Sequence, residues 1–353
     1  MKKTLQKAQQ QTTKQNIRNR ASLSSLRPLL LAWTLAAVFG CDDSSRTTMD
    51  VPDAASPSGL LPQAFRTIQM ALADPDPRVR ANAVEVVAAT KQIGLMPKVH
   101  RLLADQFTPV RFLAVLAVGD LQYALAQKDL QQLLKDKDQN VRIAVAYALT
   151  KLGHSQYAKV FGDAITSKDQ TVRANAALLL GKTGDQNALK YLYWVLQQKD
   201  SDDKVILQAA ESIAMLGDQR IYPKLWTRLI SAYADDRVIG VRAMGALATA
   251  QARDALVTML DDAVLEVRLV AAGQLGRLND PVGQPQVLEV FTKNLTAGLD
   301  GGGLERVRVL TALAIGEIGT ENLAKFLPQL LKDESKFVRI AAAKAVLQCA
   351  MKK

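Results

Sequence analysis

The chain has 353 residues, a formal net charge of +11, two cysteines and two histidines. Such a basic total would fit a nucleic-acid partner if it were spread over the body, but residues 1–40 hold seven bases and no acid, which leaves 38 bases against 34 acids for the rest. The basicity therefore sits in the leader, which excludes a broad cationic surface, and the few, scattered Cys and His exclude a disulfide framework or a Cys/His metal cluster.

The leader, residues 1–40, has the order of an export signal: a basic segment, an apolar run from Pro28 to Phe39, then the small Gly40. About 12 apolar residues fall short of the ~20 that a membrane-spanning helix needs, so the run targets rather than spans. The segment Val38-Phe39-Gly40-Cys41 resembles a bacterial lipobox, with a bulky Phe39 as its departure. The resemblance implies cleavage before Cys41, acylation of its thiol and a membrane location facing the periplasm or exterior. Asp42 and Asp43 resemble the enteric signal for inner-membrane retention, so the inner membrane is favoured over the outer. Residues 41–57 then read as an acylated Cys followed by a Pro/Ser-rich disordered tether with a reach of roughly 20–25 Å.

From residue 58 to 353 the chain is repetitive. Val-Arg recurs at Val79-Arg80, Val110-Arg111, Val141-Arg142 and Val172-Arg173, 31 residues apart, and again at Val241-Arg242, Val267-Arg268, Val307-Arg308 and Val338-Arg339. Val205-Ile206 fills the remaining slot, which makes nine units. Self-similarity at this period is the mark of a solenoid, whose units bury a face only against their neighbours.

Each unit reads as two helices. The first pair runs from Leu60 to about Leu72 and from Arg78 to about Thr90, separated by Asp74-Pro75-Asp76-Pro77. Further pairs follow near 97–121, 126–152, 155–183, 187–216, 219–250, 252–278, 284–318 and 321–351. No stretch combines period-two alternation with turn chemistry, so the predicted class is all-α, an α-solenoid.

Aligned on the Val, the units share small residues four and five positions on, such as Ala83-Val84 and Ala176-Ala177, and a larger apolar anchor at eight, such as Val87 and Leu149. Asp76, Asp138, Asp169 and Asp202 precede the second helix at the capping position. Gly153, Gly184, Gly217 and Gly319 are placed to end helices. The pattern Asp-x-x-Val-Arg-x-x-Ala-Ala, clearest in DQNVRIAVAYALTKLG, resembles the HEAT repeat of the phycobilisome-lyase type. That resemblance implies an ionic ladder along the stack through Arg80, Arg111, Arg142, Arg173, Arg242, Arg268, Arg308 and Arg339, broken at Ile206.

On a helical wheel, positions two and six past each Val face away from the core, onto the concave side of a HEAT stack. These are mostly apolar: Phe112, Leu116, Ile143, Tyr147, Leu178, Leu207, Leu247, Leu269, Val309 and Leu313. Either they form an apolar groove for a protein partner in the cell envelope, or tight curvature lets neighbouring helices cover them. A carrier of a hydrophobic ligand and a lyase-like enzyme-associated module are the alternatives to a scaffold. Tyr191, Tyr193, Trp194, Tyr222, Trp226 and Tyr233 read as core packing. The glycine-rich stretch Gly298–Gly303 lacks the Lys-Ser/Thr ending of a phosphate-binding loop and reads as a flexible insertion. Cys349 reads as a small buried hydrophobe. Nothing in the spacing of His100 and His154 points to catalysis, metal or cofactor, and the His-Glu pairs with which HEAT-fold hydroxylases hold iron are absent from the sequence. The expectation is a non-enzymatic scaffold with no nucleic-acid partner.

Overall fold

The computed structural model describes residues 57–352, all within one compact unit. The leader, Cys41 and the proposed tether lie outside them. Every regular element among the described residues is helical. In chain order the repeats are α1 (Pro57–Ala71) with α2 (Pro77–Ala89), α3 (Met96–Arg101) with α4 (Thr108–Asp120), α5 (Gln127–Leu133) with α6 (Gln139–Lys151), and α7 (Val160–Ala164) with α8 (Gln170–Thr183). They continue as α9 (Leu189–Gln197) with α10 (Asp203–Met215), α11 (Tyr222–Leu229) with α12 (Ala234–Leu247), and α13 (Ala250–Thr258) with α14 (Leu265–Arg277). Next come α15 (Gln284–Thr292) with α16 (Gly301–Ile318), and the short α17 (Glu321–Ala324) and α18 (Leu327–Leu330) with α19 (Lys336–Met351).

The second helices start where their caps dictate. Asp76, Asp138, Asp169 and Asp202 each accept a hydrogen bond from a backbone N–H of the first turn, as expected. At Gly184 and Gly319, φ is +77° and +75°, and α8 and α16 stop there. The stretch 298–303 departs from the expected flexible insertion. Asp300 accepts a 2.6 Å bond from the Gly303 N–H, and this cap turns Gly301–Gly303 into the first turn of α16.

Each second helix packs on the next, from α2 on α4 through to α16 on α19, and α19 packs in turn on α1 and α2. The stack closes on itself, with the second helices inside. Glycine sets the curvature. Gly119, Gly181, Gly276 and Gly316 each lie nine residues past their unit's anchor position, against the next inner helix. A Cβ on Gly119 would sit 2.9 Å from the Ala148 Cα, one on Gly181 2.9 Å from the Ser212 Cα, and one on Gly316 2.7 Å from the Ala345 Cα. Inner helices therefore meet almost backbone to backbone, and the inner side of the stack is short enough to close.

Hydrophobic burial follows the same register. Val79, Val110, Val141, Val172, Val205, Val267, Val307 and Val338 are all buried, as are the small residues after them. Burying a Val or Leu side chain fully is worth roughly 1.5–3 kcal/mol, so each repeat draws most of its stability from this shared layer.

The sixth unit corrects the alignment. Helix α12 begins at Ala234, and Arg237, not Arg242, holds the ladder position: it donates to the Ser231 carbonyl at 2.9 Å and to Asp262 at 2.7 Å. Asp236 thus occupies the Val slot, which spaces the anchors at 205, 236 and 267 by 31 residues. Gly245 falls nine past that slot, in line with the other four glycines.

With the register corrected, the ladder has a simple rule. Apart from Arg308, each ladder Arg bonds the backbone carbonyl six residues earlier, and five of the arginines reach the Asp that stands before the second helix of the next unit. The pairs are Arg80–Asp105 (2.7 Å), Arg111–Asp136 (2.9 Å), Arg173–Asp200 (2.9 Å), Arg237–Asp262 (2.7 Å) and Arg308–Asp333 (2.9 Å). After Arg142 and Arg268 the next unit offers Ser167 and Gly302 in place of Asp, and these two arginines bond the Asp136 and Asp262 carbonyls. Ile206 replaces the ladder Arg in the fifth unit and lines a cavity of about 10 Å³ with Leu225, Ile239 and Gly240.

Candidate functional site: the inner face of the closed stack

The residues expected to form an apolar groove lie on the inner helices, and the closed stack covers them. Phe112, Leu116, Ile143, Tyr147, Leu178, Leu247 and Leu269 are buried; Leu207, Val309 and Leu313 are half-buried. The physical reason is the glycine-mediated approach of neighbouring inner helices, which leaves no open apolar face between them. Leu247 belongs to another row altogether, since it stands eleven residues past the corrected anchor of its unit.

What reaches the centre is charged. Positions six and ten past the anchors supply Glu85, Asp120, Lys151, Lys182, Glu211, Arg242, Arg277, Glu317 and Lys344. Curvature brings non-adjacent units into contact here: Lys182 of the fourth unit bonds Asp120 of the second at 3.0 Å, and Lys352 after α19 donates to the carbonyls of Gly276 and Glu317. Asp120 also accepts a 2.6 Å bond from the Tyr147 hydroxyl, and the Lys182 ammonium lies 5.9 Å from the Tyr147 ring centre. Burial, with the Asp120 charge added, pushes the Tyr147 phenol well above its usual range.

Six of the other charges form a circuit of alternating sign. Glu85 is attracted to Lys344, Lys344 pairs with Glu317 at 3.5 Å, and Glu317 attracts Arg277. Arg277 is attracted to Glu211, Glu211 to Arg242, and Arg242 back to Glu85. The six side chains come from units one, nine, eight, seven, five and six. Gln348 and Gln208 add hydrogen bonds of 2.9 and 3.2 Å to Glu317 and Glu211.

Enclosure governs how these groups titrate. Burial pushes Glu85 up to about 8 against the pull of Lys344, Lys182 and Arg242. Burial likewise raises Glu211 and lowers Arg242 and Arg277, in each case against the opposite charges of the circuit. All four side chains keep some accessible surface although protein surrounds them. The arrangement sets acids against bases and ties distant units together.

The charged circuit is hidden in the sequence because the Val241-Arg242 dipeptide mimics the ladder and position ten faces the centre only once the stack is closed. A signal was present: anchors at 205, 236 and 267 keep the 31-residue beat and drop Arg242 into line with Glu85 and Lys344.

The aromatic cluster is also placed differently from expectation. Tyr191, Tyr193 and Trp194 lie on α9, Tyr222 and Trp226 on α11, and Tyr233 before α12, and none of the six is buried. Outer helices have only one covered face here, so side chains on the other face meet solvent. His100 and His154 sit on separate units, bonded to Asp129 (2.6 Å) and Gln127 (2.9 Å), and among the described residues no three His, Cys, Asp or Glu side chains gather as a metal site. Cys349 is buried, as expected.

This geometry, nine helix pairs stacked through a Val/Ala layer with a partial Arg–Asp ladder, is that of an α-solenoid of HEAT repeats. The sequence model of HEAT repeats matches residues 96–169 and 158–240. Among solved structures, the phycocyanin lyase CpcE–CpcF complex from Nostoc sp. PCC7120 is similar at 17% identity and a TM-score of 0.40, over 71% of this chain and 94% of that one. Human deoxyhypusine hydroxylase is similar at 18% identity and a TM-score of 0.36, over 74% of this chain and 97% of its own. No curated protein matches the chain in sequence. No described helix is long and apolar enough to cross a membrane.

Proposed function

We propose that the protein is a scaffold held at the membrane by an acylated Cys41, where its repeat body binds a protein partner in the cell envelope. The observation that carries this reading is how the ionisable groups of the stack are used. The ladder and the central circuit engage them with one another across units, which is the chemistry of a rigid platform. Platforms of this kind act through their surfaces.

The leader supports the location: a basic segment, a short apolar run and Val38-Phe39-Gly40-Cys41. The test is direct. Mass spectrometry of the Cys41 peptide should show a diacylglyceryl or acyl adduct, and Cys41→Ser should move the protein from the membrane to the soluble fraction. A membrane-bound C41S variant, or an unmodified Cys41 in membrane-bound protein, would contradict the anchor. In-cell crosslinking should yield discrete protein adducts; their absence would contradict the scaffold role.

A further inference from the structure

The central circuit is spent on itself, but one outer surface is not. On α11, Leu225 and Leu229 are buried, Tyr222 and Trp226 flank them toward solvent, and Ile230 and Tyr233 follow the helix. Trp226, Ile230 and Tyr233 are 38%, 67% and 70% exposed, and the Tyr222 and Trp226 rings stack at 6.3 Å. The outer helix of the preceding unit, α9, adds Trp194 at 39% exposure and a half-exposed Tyr191, with the Lys190 ammonium 4.8 Å from its ring centre. Rings held out of the core at helical spacing, in adjacent repeats, form a patch that folding alone does not require.

The charge on these helices is one-sided. Helices α9 and α11 carry Lys190, Lys224 and Arg228 and no acid, as α1 and α3 also carry bases without an acid, whereas α5, α7, α13, α15 and α17 each carry an Asp or Glu. Two of the acids that border the patch are engaged, Asp218 with Arg220 and Asp236 with Arg228, while Asp235 beside Tyr233 is exposed. Lys190 and Lys224 are exposed. An occupant would therefore need apolar side chains for the rings and carboxylates for the lysines.

We propose that the outer face of α9 and α11 is a docking surface for an acidic, apolar segment of a partner protein. The inference rests on the scaffold reading and supplies its surface. A bilayer with anionic headgroups offers related chemistry; the scaffold reading favours a protein segment, and phosphatidylglycerol vesicles test the bilayer.

The probe is a fluorescein-labelled peptide of alternating Glu and Leu, titrated into the full chain and followed by anisotropy, with a Lys-for-Glu peptide and phosphatidylglycerol vesicles as comparators. The acidic peptide should bind, and W226A and K224E should each weaken it by about tenfold or more. W194A should weaken it less. The Lys peptide and the vesicles should bind no better to wild type than to W226A. Equal binding of both peptides, unchanged binding in K224E and W226A, or vesicle binding that alone depends on Trp226 would overturn the proposal. Lys224 is exposed, so K224E keeps the test open if W226A is unstable.

A photoreactive residue placed in cells at Trp226, or at Leu125, a 77% exposed residue of another unit, separates this idea from the scaffold reading. Adducts at 226 that K224E abolishes support the surface. Adducts at 125 without any at 226 overturn the surface and leave the scaffold standing. No adduct at either position removes both.

Discussion

Two junctions of the stack can be set side by side. Between units two and three, Arg111 and Asp136 form a bidentate pair, 2.9 and 3.0 Å, with both side chains less than a tenth exposed. Between units seven and eight, Arg268 meets Gly302 where the carboxylate would be. Both junctions nonetheless press a glycine onto the following helix, Gly119 against Ala148 and Gly276 against Glu317 and Ile318. At these two junctions the ion pair is dispensable to the geometry while the glycine contact is shared; units one, three and five carry Ala88, Thr150 and Ala214 at the same position. Where glycine stands, it sets the approach and the ladder adjusts the strength of the junction.

The sharpest way to break that contrast is to add a side chain at the junction that lacks the ion pair. A Cβ on Gly276 would lie 2.7 Å from the Ile318 N and 2.8 Å from the Glu317 carbonyl carbon, both backbone atoms that cannot rotate away. Gly276→Val should cost about 3 kcal/mol in urea unfolding. A cost below ~1 kcal/mol would show that the inner helices can slide apart freely. Removing the ion pair where it is buried comes next. Asp136→Asn strands the Arg111 charge and should cost about 2–3 kcal/mol. The same change at Asp333, whose partner Arg308 is 40% exposed, should cost less than ~1 kcal/mol.

The two regions also differ in how they answer pH. Asp136 is partly buried, which alone would raise its pKa, but the Arg111 hydrogen bonds and charge outweigh this and hold it below the usual range. Its contribution is present above the ordinary carboxylate pKa and is lost as pH falls through the lowered value. Glu85 runs the other way. The folded state keeps a proton that the unfolded chain releases near 4.5, so stability declines as pH rises from there to about 8. Glu85→Gln should remove that decline and raise the urea midpoint at pH 8.5, by about 1–2 kcal/mol once contact with water is allowed for. Unchanged pH dependence in E85Q would show that Glu85 is ionised in the folded protein. The smallest effect is a gain. Ser167→Asp gives Arg142 the carboxylate its junction lacks and should stabilise by roughly 0.5 kcal/mol.

Much of this architecture can be read without coordinates, and the limits are instructive. Asp76, Asp138, Asp169 and Asp202 act locally, on N–H groups two or three residues away, so spacing alone reveals them. The 31-residue beat reveals the anchors by the same logic. Val241-Arg242 misled because a dipeptide is a short signal. Val241 is a buried core residue and Arg242 lines the centre, while the true ladder Arg follows an Asp. Closure was not legible at all, since it depends on α19 meeting α1 and α2 across most of the chain. The exposure of Trp194 and Trp226 was hidden for a related reason: rings at helical spacing fit either face of an outer helix, and only packing decides which.

The central claim is closure, and its seam can be measured. Lys336 at the start of α19 pairs with Asp74 after α1 at 2.7 Å, and the Arg78 guanidinium lies 5.6 Å from the centre of the Phe337 ring. Ala73 and Lys332 flank this contact and are both exposed. Spin labels at these two positions, read by pulsed dipolar spectroscopy, should give one narrow distance below about 30 Å. An open stack of nine inner helices about 9 Å apart would hold the ends on the order of 70 Å from each other. A broad or long distribution would contradict the closed stack, and with it the covered inner face and the central circuit.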